Sequence, residues 1–197
     1  MSSTAVKHSE HDSDANDVFG FWLYIMTDCI LFASLFAAYV VLHTPGAYGP
    51  KLKPLIDLYY VLGETVFLLL SNFAFGLAIL ASYKNKVAAT TILLIITFFL
   101  GLAFIIMEVN EFIHLLHLGY SWHISAAASA FFTLVATHGL HVFFGLLWIV
   151  ALCIQLPIFG LQSVMKRRLT YLGLFWNFLD IIWIFVFTVV YLLGYIL

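Results

Sequence analysis

Residues Phe131–Gly145 read FFTLVATHGLHVFFG. His138 and His141 stand three residues apart in this run, so on a helix the two imidazoles share one face, nearly a turn apart. From Tyr120 to Val164 there is no Asp, Glu, Lys or Arg. That is far more than the ~20 apolar residues that cross a bilayer as a helix. The pair therefore belongs deep inside a membrane helix. The apolar runs are continuous and do not alternate, which predicts helices rather than a membrane β-barrel.

The rest of the composition agrees. Of 197 residues, 64% are hydrophobic and 9% charged, against about a quarter charged in soluble domains. No basic patch or zinc-finger spacing points to nucleic acid. Cys29 and Cys153 both fall in apolar spans and read as small apolar side chains rather than a disulfide framework. The N-terminal stretch is polar and acidic, unlike a signal peptide. Residues 1–17, with His8 and His11, read as a disordered polar tail ahead of one transmembrane domain over 18–197.

Five spans are expected, at about 18–43, 59–83, 87–107, 124–156 and 169–197, so the fold class is an all-α bundle of five transmembrane helices. The links are a loop with Pro45, Pro50 and Pro54, the Lys84–Lys86 turn, a polar stretch over 108–123, and a loop with Pro157 and Lys166, Arg167 and Arg168. Lys7, Lys84, Lys86, Lys166, Arg167 and Arg168 fall on one side, and Lys51 and Lys53 on the other. This bias predicts a cytoplasmic N-terminus and a periplasmic C-terminus. Trp22, Tyr24, Tyr83 and Tyr171 would then mark the inner interface, and Tyr59, Tyr60, Tyr120, Trp122, Tyr191 and Tyr195 the outer one.

Polar residues inside these spans are the candidate functional positions. Asp28 lies about ten residues, roughly 15 Å, into the first span. Asp180 is at similar depth in the last span, Glu64 is in the outer third of the second, and Glu108 and Glu111 are near the end of the third. A charged carboxylate at the bilayer centre costs roughly 2.5–3.5 kcal/mol on insertion scales. Such residues must face the bundle interior, pair, or keep a proton. Asp28 or Asp180 with His138 or His141 is the pairing this suggests. Three readings compete: interhelical hydrogen bonding, a proton-linked role, and a metal site. For the last, Glu111-x-x-His114 gives one copy of the spacing that a carboxylate-bridged di-iron bundle needs twice. No CxxCH, Walker A or GxGxxG stretch supports haem attachment, ATP or dinucleotides.

Five stretches in five successive spans resemble a known family. They are FGFWLYIMTDCILFASLFAAY at 19–39, GETVFLLLSN at 63–72, MEVNEF at 107–112, FFTLVATHGLHVFFG at 131–145 and LFWNFLDIIWIFVFTVVYLLG at 174–194. The chain resembles subunit III of the haem–copper terminal oxidases, in its cytochrome bo-type ubiquinol oxidase branch. The resemblance implies a non-catalytic subunit of a proton-pumping enzyme that reduces oxygen to water. By the same resemblance it packs on subunit I beside subunits II and IV and holds phospholipid. Haem and copper then belong to subunit I, this chain has neither, and it supports proton uptake and durability. The resemblance places the family's buried acid on Asp28. It matches Glu64, Glu108, Glu111, His138, His141 and Asp180 to the other intramembrane polar positions. A cytochrome c or menaquinol oxidase, or an independent proton-coupled transporter, are the alternatives.

One position departs from the family pattern. Where the last-span motif commonly has His, this chain has Asn177, which hydrogen-bonds but does not titrate near neutral pH. A hydrogen-bonding role predicts that Asn177→His assembles to near wild-type levels, measured by co-purification of the complex; clear loss of assembly would count against it.

Overall fold

The computed structural model describes the backbone of residues 3–42 and 58–192, and the side chains of residues 18–42 and 58–192. The expected loop with Pro45, Pro50 and Pro54, together with Lys51, Lys53, Tyr195 and the end of the fifth span, lies outside the described residues. So do the side chains of His8 and His11. The elements are α1 (Ser3–Leu42), α2 (Leu58–Tyr83), α3 (Val87–His117), α4 (Ala126–Phe159) and α5 (Ser163–Val186). α5 runs on into a π-helical segment, Phe187–Leu192. Five helices are long and apolar enough to cross a membrane, α1 through its part Val18–Leu42. The described residues are all helix and turn.

Several boundaries move. The backbone of residues 3–17 is helical and continuous with the span that follows in α1. α3 passes through Glu108 and Glu111 to His117, since nothing before Gly119 breaks it; Gly119 takes φ +82 and ends the helix. α4 starts after Ser125, whose side chain accepts from Ala128 N at 3.1 Å, and Pro157 sits in its last turn rather than in a loop. α5 begins early enough to carry Lys166 and Arg168 on its first turns. There Lys166 Nζ donates to Asn85 Oδ1 at 2.7 Å and Arg168 donates to Gln155 Oε1 at 2.9 Å.

The chain divides into two units, Met1–Ser34 and Leu35–Leu197. Within the second, α2 packs on α3, α3 on α4, α4 on α5 and α5 back on α2, closing a ring of four helices. The last turns of α1 reach the end of α5, through Phe36 edge-on to Phe185 and Tyr39 Oη donating to Val190 O at 3.4 Å.

α5 organises the ring because its inward stripe is Trp176, Asp180 and Trp183, at i, i+4 and i+7, all buried. Lipid offers no partner to an indole N–H, so each tryptophan needs one inside the bundle. Trp176 Nε1 donates to Ser71 Oγ at 3.2 Å and Trp183 Nε1 to Thr65 Oγ1 at 3.0 Å, both on α2. Ser71 in turn donates to Thr97 O on α3.

The Trp176 ring occupies space that two glycines leave open: a Cβ at Gly145 would stand 2.8 Å from it, and one at Gly101 3.1 Å. Two tyrosines expected at the interface are core instead. Tyr191 and Tyr120 are buried against Phe131, and burial pushes the Tyr120 phenol up to about 12.

Overpacking a close helix contact costs about 1–3 kcal/mol. Gly145→Val is therefore expected to lower the thermal midpoint of the purified protein by several degrees. Gly76→Ala, which meets open space, should leave it within error.

Candidate functional site: a buried carboxylate layer

The intramembrane acids fall into separate groups. Asp28 belongs to the first unit, where the Tyr24 hydroxyl one turn earlier donates to it. Asp180 takes Asn72 of α2 as its partner, with Nδ2 donating to Oδ2 at 3.0 Å, and Asp180 Oδ1 is buried with no partner among the described residues. This corrects the expected pairing of Asp180 with histidine. The reason is geometric: α2 and α5 pack directly, and Asn72 is opposite Asp180 on that face.

The histidines have other surroundings. The ring of His138, 0% exposed, lies 5.1 Å from that of Trp183 and edge-on to Phe104 at 5.9 Å. His141, half-buried, has Nδ1 2.7 Å from Thr137 O, its own helix's carbonyl one turn back. Asn177 is exposed on α5 and does not join the buried polar set, because its neighbours Trp176 and Asp180 take the inward stripe. Glu111 and His114 also part company: Glu111 faces inward and His114 outward, so the single Glu-x-x-His copy presents no shared ligand face. No three His, Cys, Asp or Glu side chains among the described residues are arranged to share one metal ion.

The remaining acids converge. α2 contributes Glu64, and α3 contributes Glu108 and Glu111, three apart on one face. They are 0%, 3% and 7% exposed, and Glu64 is within electrostatic reach of both others. Glu111 Oε2 accepts from Tyr191 Oη at 2.8 Å. Tyr191 reaches it from the π-helical segment, whose wider winding resets the register at the end of α5. Tyr60, one turn before Glu64, donates to Met107 O at 3.2 Å and bridges α2 to α3 beside the cluster.

The Glu108 carboxyl group fills the notch that Gly139 leaves in α4, where a Cβ would stand 2.6 and 2.8 Å from its oxygens. Next to the acids lie Trp183, Phe104 and His138, with Phe104 edge-on to both other rings and His138 tilted against Trp183.

Sequence reasoning selected all three glutamates by type and depth. It missed Asn72, Thr65, Ser71, Tyr191 and Gly139, the groups that hold the acids and tryptophans in place. The Trp-x-x-x-Asp-x-x-Trp spacing at 176–183 was the one available signal, as an inward stripe carrying polar groups.

The fold and this buried polar layer define a polytopic helical membrane protein. Residues 3–195 match the sequence profile of cytochrome c oxidase subunit III, and the chain belongs to that family, which as a family has no redox centres of its own. It is 54% identical over 186 residues to the cytochrome bo(3) ubiquinol oxidase subunit 3 of Pseudomonas aeruginosa, covering 93% of this chain and 88% of that protein. It is 44% identical to the protein of that name from Buchnera aphidicola subsp. Schizaphis graminum, covering 92% and 96%. It is 36% identical to the quinol oxidase subunit 3 of Bacillus subtilis, covering 98% and 94%.

The Asn72–Asp180 bond predicts a non-additive cycle. Asn72→Leu strips a buried carboxyl group of its donor and should cost about 1–3 kcal/mol or more. Asn72→Leu with Asp180→Leu should cost less than either single change, read from thermal unfolding of the four variants in one detergent.

Proposed function

We propose that this chain is the non-catalytic third subunit of a proton-pumping ubiquinol oxidase in an aerobic respiratory chain. The observation that carries this is the 54% identity, over 93% of this chain, to a subunit named for ubiquinol oxidase. Relatives at 50% and 44% carry the same name, while those at 37% and 36% are named quinol oxidase subunits. These names favour a quinol over cytochrome c as electron donor. The subunit packs against the catalytic subunit I, which holds haem and copper, with subunits II and IV in the same complex. Its membrane is the bacterial cytoplasmic (inner) membrane. The N-terminus is cytoplasmic and the C-terminus periplasmic, in keeping with Lys84, Lys86, Lys166, Arg167 and Arg168 at one end of the bundle.

Its work there is mechanical and electrostatic. A helical bundle with apolar side chains such as Phe73, Phe99 and Ile158 exposed on its outside offers area to subunit I and to phospholipid. The inward polar groups Glu64, Glu108, Glu111, His138 and Asp180 fix helix packing. Asp28 is the carboxylate assigned to supporting proton uptake; Asn177 and His141 have hydrogen-bonding roles.

Purification through a tag on this chain in mild detergent should bring down a large polytopic partner with haem bands in the reduced-minus-oxidised spectrum. Quinol-driven oxygen consumption by that sample fixes the donor. A haem-free preparation whose membranes, before detergent, also show no cross-link to such a partner would overturn the reading. An Asp28→Ala complex that assembles and sustains turnover as long as wild type would remove the role given to Asp28.

A further inference from the structure

Four oxygens in the carboxylate layer have no hydrogen-bond partner among the described residues: both of Glu64, and Oε1 of Glu108 and of Glu111. All are buried within this one chain. A subunit or lipid headgroup docking on the outside therefore does not reach them. Buried carboxylate oxygens left without donors are costly, so something small enough to sit between the helices must serve them. The groups facing the site on α2, α3 and the π-helical segment are Tyr60, Glu64, Glu108, Glu111 and Tyr191, with His138 of α4 next to the acids. None of the three acids forms an ion pair with a lysine or arginine among the described residues.

We propose that Glu64, Glu108 and Glu111 enclose a guest site for water molecules carrying at least one shared proton. Two features favour this over a metal ion. The described acids are not arranged for one ion to touch three of them, whereas a buried water needs two to four polar partners, which orphaned oxygens on neighbouring helices offer. Three carboxylates with no cation beside them in a membrane interior also call for a proton as counter-charge. Glu64 is the acceptor with both lone-pair edges turned to the guest. Tyr191 holds Glu111 in position through the 2.8 Å bond to Oε2, which leaves Oε1 for the guest. Gly139 sets how far Glu108 recedes toward α4.

The test uses the intact complex and does not read turnover. Infrared spectra in H2O and D2O are expected to contain an exchangeable carboxylic-acid C=O band, part of which is lost in Glu64→Gln, Glu108→Gln or Glu111→Gln. A high-resolution map of the unmutated complex is expected to place water density within hydrogen-bonding distance of at least two of the four oxygens. It decides the matter even if the variants do not assemble.

The proposal is overturned if none of the three variants changes the band. It is also overturned if the map puts Lys51, Lys53 or a partner's basic group among the carboxylates, or if the spectrum changes with sodium at constant pH, which would mark a metal-cation site. Haem content reports on the oxidase reading separately, so the two ideas fail independently.

Discussion

The bundle depends on polar groups finding partners where neither water nor lipid supplies any. α5 carries most of that demand. Trp176, Asp180 and Trp183 project one polar atom each toward α2, and Ser71, Asn72 and Thr65 answer them. Among apolar helices in a bilayer, burial of hydrocarbon does not by itself favour helix contact over lipid contact. Three directional bonds on one stripe do, and they set both the register and the rotation of α5 against α2. The glycines at 101 and 145 then let α3 and α4 close over the Trp176 ring.

Beyond that stripe the π-helical turn brings a change of chemistry. Inside α5 the polar groups are matched nearly one to one. Past Val186 the wider winding turns Tyr191 toward α3, where it meets Glu111, and the acids of α2 and α3 outnumber the donors around them. Matched polar pairs stabilise packing, and a surplus of acceptors is the mark of a place that takes something in. Both occur in one bundle, and α2 takes part in each: it meets α5 through Thr65, Ser71 and Asn72, and α3 through Glu64.

Much of this was visible in the residues alone. Continuous apolar runs predicted five membrane helices, and depth along each run selected Asp28, Glu64, Glu108, Glu111, His138, His141 and Asp180 as candidates, of which His141 is half-buried and the others buried. Ends of elements were less legible. α3 continues through a polar stretch that reads as a link, because helix propagation tolerates Glu, Asn and His and stops at a residue that leaves the helical region. Tyr120 and Tyr191 read as interfacial from their position near span ends, yet they are buried, since aromatic contacts with Phe131 and a carboxylate partner outweigh a general preference for the headgroup region. Asn177 reads as buried from its motif and is exposed, because its rotation about the α5 axis points it away from the buried Trp176, Asp180 and Trp183.

The sequence by itself determined the class of protein, the number of spans and the residue types that would be costly in lipid, because these follow from hydropathy and length, which are local properties of the chain. Tertiary structure alone decided who partners whom. Asn72 facing Asp180, Thr65 facing Trp183, and Glu64 set beside Glu108 and Glu111 join residues from 44 to 118 positions apart. Such pairings depend on the rotation of each helix about its axis. That rotation is fixed when the bonds and close contacts of the whole ring are satisfied together, and no single span encodes it.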